Sequence, residues 1–203
     1  MAGAKQFKPS EALDQALRVF WMRGFEGASY SELTAATGLN KSSLYNAFGD
    51  KEALYLKCLE RFSETYGAPL AATLDRPDFV DAIAGFFEGL LIRLGTRGLP
   101  RGCPMTMAAL ELGGTEGPVG KTIHSNLEIT EAALKARCER AVRDGDLPEG
   151  TDCAALAALF LALARGLPAL NRGYGDLRAS VLAVQAMLRM LKCPPLLDAG
   201  ASS

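Results

Sequence analysis

The chain has 203 residues, of which 49% are hydrophobic and 7% aromatic, and its formal net charge is −1. This length and composition fit one compact domain with a smaller second one, built from Ala- and Leu-rich helices around a sizeable core. The only histidine, His124, cannot supply a catalytic triad or a His-rich metal site. We therefore expect no catalytic residues, no metal and no cofactor.

The cysteines and the hydropathy pattern indicate in which cellular compartment the protein is expected. The five cysteines are scattered and form no C-x-x-C pair, a pattern typical of reduced thiols in the cytoplasm. No signal peptide is apparent after Met1, and no apolar run approaches the ~18 residues of a membrane span. The most apolar stretch, residues 153–164, is followed by Arg165. The sequence thus predicts a cytoplasmic protein with no membrane segment.

The first predicted element is a helix that ends at Gly24. Residues 1–9 read as an arm carrying Lys5 and Lys8, which either contacts a DNA backbone or is a frayed terminus. Ser10 then caps a helix with apolar residues at helical spacing, namely Leu13, Leu17 and Phe20.

Residues 29–51 predict two short helices joined by a tight turn at Gly38. Asn40 is a good N-cap for the second of them, which runs to about Phe48. The spacing places Leu44, Ala47 and Phe48 on one inward face. The opposite face carries hydrogen-bonding side chains without an obvious internal partner: Lys41, Ser42, Tyr45 and Asn46. A helix in the major groove of DNA would use such a face.

The remainder of the chain predicts an all-α fold. Asp50 caps a fourth helix that begins at Lys51 and runs toward residue 75, with N-terminal amides suited to a phosphate. Turn-forming residues then separate five further helices, and we find no convincing strand. Their expected ranges are 78–96, 103–112, 119–143, 152–172 and 176 to just before Pro194.

The N-terminal part of the chain resembles the DNA-binding domain of the tetracycline-repressor (TetR) family. The resemblance covers roughly residues 10–58. Thr34 and Thr37 depart from the alanine that is more frequent in that family, and threonine is small enough to fit. The residues that carry the resemblance are Phe20-Trp21-Met22-Arg23-Gly24-Phe25-Glu26-Gly27-Ala28-Ser29, Leu33, Gly38-Leu39, Ser43-Leu44-Tyr45, Phe48-Gly49-Asp50-Lys51 and Leu54.

This resemblance implies a helix-turn-helix DNA-binding domain at 1–56 and a larger helical effector-binding and dimerisation domain at 57–203. The implied partner is a double-stranded DNA operator. We expect Lys41, Ser42 and Asn46 to reach base edges, and Tyr45 and Lys51 to hold phosphates. Charge adds little support, because residues 1–60 contain seven basic and seven acidic side chains.

A small-molecule effector site is expected in the C-terminal half. Aromatic and methionine side chains there either fill the core or wall an apolar cavity, since methionine suits adaptable pockets. His124 is a further candidate, with a surface position as the alternative. The predicted effector-binding residues are Phe86, Phe87, Met105, Met107 and His124.

The last two helices are rich in Ala and Leu on more than one face, so each needs two neighbours or a partner chain. The resemblance places a homodimer interface on helices 152–172 and 176–192, as a four-helix bundle from two chains. A wholly intramolecular core is the alternative.

The resulting hypothesis is a homodimeric transcriptional repressor that a small molecule releases from its operator. An enzyme would need a nucleophile–base pair or a metal set, and the sequence offers neither. A second alternative is a thiol-based sensor triggered by Cys103, which begins a predicted helix close to Arg97 and Arg101. Constitutive DNA binding without a ligand is a third.

Overall fold

The computed structural model describes residues 8–192, and all of its regular secondary structure in that range is helical. Lys5 of the predicted arm and the end of the last predicted helix, from residue 193, lie outside the described residues. The ten α-helices are α1 (Pro9–Gly27), α2 (Tyr30–Thr37), α3 (Lys41–Phe48), α4 (Lys51–Phe62), α5 (Ala68–Ala72), α6 (Phe79–Gly95), α7 (Pro104–Leu112), α8 (Pro118–Asp144), α9 (Cys153–Tyr174) and α10 (Arg178–Lys192). The predicted all-α fold is confirmed.

Local capping interactions define both ends of α2 and the start of α3. Ser29 and Glu32 form a reciprocal capping box at the start of α2, which pairs two backbone amides that would otherwise lack acceptors. Gly38 closes α2 in the left-handed conformation with φ 70°. The Asn40 side chain then accepts a 2.8 Å hydrogen bond from the amide of Ser43 and starts α3. The turn between these helices is therefore specified by local chemistry.

A backbone break at Gly24 divides α1. Gly24 has φ 76° and ψ −177°, a conformation that is essentially restricted to glycine. The helix predicted to end at Gly24 does lose its regular path there, and a short helical segment continues to Gly27. This break sets the direction in which the chain approaches α2.

The helix predicted from Lys51 toward residue 75 is divided into four pieces. After α4 the chain forms a π-helical turn at Ser63–Gly67, then α5, then a 3-10 turn at Thr73–Asp75. Pro69 lies within the first two positions of α5, where its missing N–H removes a donor that a continuous α-helix would use. The predicted domain boundary between residues 56 and 57 falls inside α4.

Two clusters of buried side chains form the core. One combines residues of α1 to α4 with residues of α7 and the start of α8, including Met105 and Ile123. The other joins α6, the later part of α8, α9 and α10, including Phe87 and Phe160. Helix α7 is therefore packed with the N-terminal helices, although it lies in the C-terminal half of the sequence.

Helix α9 is close to its predicted range and strongly apolar. Its uninterrupted apolar run ends at Arg165, and the helix continues beyond that residue to Tyr174. By length and composition alone its 22 residues could cross a bilayer, with a mean hydropathy of 1.9 over an 18-residue window. Only 28% of that window is buried. Exposed apolar side chains on α9 and α10 include Leu159, Leu182 and Met190.

Candidate DNA-binding surface and ligand cavity

Helix α3 presents a polar face to solvent. Leu44 and Phe48 are buried beneath it, whereas Ala47, which the spacing placed with them, is exposed. The four side chains predicted to face DNA are all exposed: Lys41, Ser42, Tyr45 and Asn46. They lie together on one short, capped helix, and a major groove of DNA admits an α-helix.

The side chains of this surface differ in how they are held. Lys41 Nζ lies 4.5 Å from the centroid of the Tyr30 ring. Lys51 is half-buried: its Nζ lies 4.8 Å from the Phe25 ring and donates to the Glu26 carbonyl at 3.4 Å. Within residues 8–192, the Ser42 and Asn46 side chains form no hydrogen bond, so both are available to an external partner.

A cavity of about 1080 Å³ lies between α4, the π-helical turn, α5 and helices α6 to α9. Its walls are largely apolar and include Leu56, Phe62, Leu70, Leu74, Phe86, Leu90, Met105 and Ile129. Four cationic side chains also line it, Lys57, Arg93, Lys121 and Arg165, against two carboxylates, Glu60 and Glu64. This volume is at the upper end of the range for small-molecule sites.

The structure brings only part of the predicted effector set to this cavity. Phe86 and Met105 line it. Phe87 is instead fully buried in the core, with its ring centroid 5.3 Å from Phe86. Met107 is half-buried and is not among the lining residues. His124 is exposed, with Nε2 3.2 Å from Glu128 Oε1.

Arg93 is an unusual member of the cavity wall. It lies on α6, is only 8% exposed, and its guanidinium carbon lies 5.2 Å from the Phe62 ring centroid and 5.8 Å from that of Trp21. Its Nε and Nη1 atoms are buried without a hydrogen-bond acceptor. Aromatic faces stabilise the cation, but they do not pair its N–H groups.

Arg165 enters the same cavity from α9. Its Nη2 donates to the side-chain oxygens of Asn126 at 2.9 Å and Thr130 at 3.3 Å, while its Nε is buried without an acceptor. Burial lowers the pKa of Arg165; the Cys103 thiol, which also lines the cavity, acts in the opposite direction, and the charge of Arg93 lowers the pKa further. Within residues 8–192 neither Arg93 nor Arg165 is paired with a carboxylate.

Direct contacts join α1 to the C-terminal helices. Glu111, in the last turn of α7, accepts 2.7 Å hydrogen bonds from the amides of Phe25 and Glu26. From α9, Arg172 donates to the carbonyls of Trp21 and Met22 at 3.3 and 3.0 Å. These four partners flank Gly24. The contacts therefore fix the break in α1 from two separate helices.

The sequence pattern did not indicate Glu111, Arg93 or Arg165 as site residues. One signal pointed to Glu111: a carboxylate in the last turn of a helix opposes the helix dipole and needs another reason to be there. Arg93 lies in the last turn of α6, where a basic residue is common because it interacts favourably with the helix dipole. The sequence pattern therefore did not indicate that its side chain is buried. Arg165 appeared only as the residue that ended an apolar run.

The polar face on α3, the capped turn before it and the cavity-bearing helices behind it define a helix-turn-helix DNA-binding regulator. Comparison with known sequence families agrees. The profile described as "Bacterial regulatory proteins, tetR family" matches residues 12–58, and "Tetracyclin repressor-like, C-terminal domain" matches residues 79–187. The chain belongs to the TetR family of transcriptional regulators. It is a DNA-binding transcriptional repressor rather than an enzyme.

The similarity to known proteins covers most of the chain. The HTH-type transcriptional repressor ComR of Escherichia coli (strain K12) is 29% identical over 166 residues, which cover 80% of this chain and 79% of ComR. A cysteine mutant of the TetR family regulator CifR, solved with 26 bp double-strand operator DNA, is 30% identical, with a TM-score of 0.82. That match covers 92% of this chain and 98% of the CifR chain. A TetR regulator from Chloroflexus aurantiacus, 22% identical, shares the fold with a TM-score of 0.82 over 91% of this chain and 94% of its own.

Proposed function

We propose that this repressor acts in the cytoplasm as a homodimer and that a small molecule in the cavity releases it from its operator. One observation carries the proposal: α7 reaches from the cavity to α1. Met105, near the start of α7, lines the cavity, and Glu111, near its end, binds the backbone beside Gly24. A ligand that displaces α7 would therefore move a contact of the DNA-binding helices.

The release follows from unequal ligand affinity for two arrangements. A ligand that fits the cavity better when α7 is displaced favours the arrangement that does not bind DNA. Changing operator occupancy from nearly complete to nearly absent requires about 5 kcal/mol of differential affinity. Contacts to α4 add a second route, since Leu56 lines the cavity and α4 begins at Lys51. The division into domains 1–56 and 57–203 remains part of this proposal, with α4 shared between them.

On the DNA side, we assign base contacts to Lys41, Ser42 and Asn46 and phosphate contacts to Tyr45 and Lys51. The exposure of α3 supports this assignment. For Lys51, a phosphate would replace the carbonyl of Glu26 as the acceptor of the ammonium group, next to the first-turn amides of α4.

The dimer interface is assigned to α9 and α10. Their outward faces expose Leu159, Leu182 and Met190, with relative exposures of 55%, 57% and 62%. Large exposed apolar side chains on neighbouring helices are typical of a protein–protein interface. A second copy of the same face would cover it symmetrically and would place two α3 helices on one side of a DNA duplex.

The experiment begins with an operator recovered by selection from a randomised duplex pool. Sedimentation of the protein–DNA complex gives the stoichiometry, and fluorescence anisotropy measures operator release by compounds that raise the melting temperature of the free protein. Two chains per operator and release by at least one such compound are expected. A monomeric complex, or stabilising compounds that never affect DNA binding, would contradict the proposal.

A thiol sensor triggered by Cys103 remains a second candidate. Cys103 is buried, lines the cavity and precedes the first residue of α7. A reagent small enough to enter the cavity would meet this thiol beside Arg165. Loss of operator binding after mild peroxide, reversed by a thiol reductant and absent in Cys103→Ser, would favour this candidate over a reversible ligand.

A further inference from the structure

A buried arginine and a half-buried one, in a largely apolar cavity, indicate which class of ligand the cavity accepts. Arg93 and Arg165 approach the cavity from α6 and α9, and the walls between them are mostly carbon. Guanidinium groups carry five N–H donors and remain charged at any physiological pH. A buried donor without an acceptor destabilises the protein, so an arrangement with several of them calls for an external acceptor.

The donors without an acceptor are individual nitrogen atoms of Arg93 and Arg165. Arg93 is more than nine-tenths buried, and its Nε and Nη1 atoms have no acceptor. Arg165 Nη2 is held by Asn126 and Thr130, which orients the guanidinium but leaves its Nε unpaired. Both acceptors of Arg165 are neutral oxygens. The two positive charges are therefore not neutralised by a neighbouring side chain among the described residues.

The nearby carboxylates do not change this conclusion. Glu60 and Glu64 line the cavity from α4 and the π-helical turn, but both are exposed, and neither forms an ion pair with Arg93 or Arg165. Lys57 and Lys121, which are also exposed, offset their charge. The buried part of the cavity is consequently cationic, with apolar walls around it.

We propose that the effector of this protein is an organic carboxylate with a sizeable apolar body, whose carboxylate binds between Arg93 and Arg165. The planar guanidinium matches the geometry of a carboxylate and can pair with both of its oxygens. The apolar body would lie against Phe62, Leu70 and Phe86. This inference rests on the proposed effector function and adds the chemistry of the ligand.

The test uses probes that share an apolar body and differ in the head group and its charge: octanoate, 1-octanol and octylammonium, with 2-naphthoate and 2-naphthol as an aromatic pair. Isothermal titration calorimetry on the free protein measures binding. Each carboxylate should bind at least about tenfold more tightly than its neutral counterpart, and octylammonium should bind most weakly. Equal or tighter binding of the alcohols or the amine would overturn the proposal, and so would absence of carboxylate binding up to about 1 mM.

Variants then locate the charge recognition. Arg93→Met and Arg165→Met should each weaken octanoate binding about tenfold or more while leaving 1-octanol nearly unchanged. Arg93→Lys keeps the charge but loses the paired geometry, so it should fall between wild type and Arg93→Met. Arg143→Met, an exposed arginine in the last turn of α8 outside the cavity, is the matched control. Unchanged octanoate affinity in both methionine variants would mean that only water pairs the two arginines, and the proposal would fail.

Operator release, measured separately, distinguishes this inference from the function on which it rests. If octanoate binds through Arg93 and Arg165 but never releases DNA, the ligand class stands and effector release fails. If other compounds release DNA while the carboxylates do not bind, effector release stands and the ligand class fails. Circular dichroism of each variant confirms that it is folded before its affinity is compared.

Discussion

Glu111 accepts a 2.7 Å hydrogen bond from the backbone amide of Phe25, across 86 positions of sequence. The same carboxylate accepts from Glu26, so one side chain pairs two amides that follow the break in α1. An ionised acceptor makes these bonds stronger than ordinary amide–carbonyl pairs. Glu111 thus adds a polar contact to the apolar packing that holds α7 against α1.

Glu111→Ala should lower the free energy of unfolding by about 1–3 kcal/mol, because two backbone donors lose an ionised acceptor. It should also raise amide hydrogen exchange at Phe25 and Glu26 more than elsewhere in α1. Glu116→Ala, in the exposed loop after α7, is the control. Unchanged exchange at these two amides would show that the hydrogen bonds contribute nothing in solution.

Gly24→Ala should destabilise the protein by about 1–3 kcal/mol from backbone strain alone. A Cβ at this position would also lie 2.6 Å from Glu111 Oε2, which adds a steric cost. In a Glu111→Ala background only the strain remains, so chemical denaturation should show the double variant less destabilised than the sum of the two single variants. Strict additivity would argue against the contact.

Arg93→Met should leave the free protein equally stable or make it more stable by about 1–4 kcal/mol. The variant replaces an unpaired buried charge with an apolar side chain of similar length. Thermal denaturation without ligand measures the effect. A fall of several degrees in melting temperature would indicate that the contacts of the guanidinium with Phe62 and Trp21 outweigh its missing acceptors.

On the DNA surface, Lys41→Ala or Asn46→Ala should cost about 1–3 kcal/mol at the operator and relax its sequence preference. Lys51→Ala should weaken all duplexes alike and flatten the dependence on salt, as loss of a phosphate contact does. Lys135→Ala, on the exposed side of α8, serves as a control. An operator affinity unchanged in the Lys41→Ala/Asn46→Ala double variant would refute the assigned contacts.

Arginine at Leu182 or Ala158 should convert the dimer to monomers that no longer bind the operator, because both side chains are exposed on the proposed interface. Ala183 is less suitable, since it packs against the core. Leu110→Arg, on the exposed side of α7, controls for the introduced charge. Sedimentation at micromolar concentration distinguishes the outcomes, and a monomeric wild type would eliminate the interface.

The sequence predicted the features that depend on local chemistry. Gly38, Asn40 and Asp50 act on residues within one helical turn, so the end of α2 and the starts of α3 and α4 followed from these residues. The extended run from Lys51 was only partly correct, because α4 ends at Phe62 and a π-helical turn follows.

The cavity and its link to α1 could not be predicted in the same way. Phe86 and Phe87 are adjacent in sequence and equally apolar, yet only tertiary packing decides that Phe86 lines the cavity while Phe87 fills the core. Arg93 and Arg165 are far apart in sequence, and their common environment exists only once α6 and α9 are packed. Contacts over such separations leave no periodic signal.

The π-helical turn at Ser63–Gly67 sets the rotational phase between α4 and α5. A π turn accommodates one residue more than an α turn needs. Deleting one residue here would therefore close the turn into a regular α-helix and leave Leu70 and Leu74 near their present phase. The part of the cavity wall that the turn itself supplies, Ser63 to Gly67, would shrink. A natural relative that is one residue shorter here would enclose a differently shaped cavity even with the same side chains on its other walls.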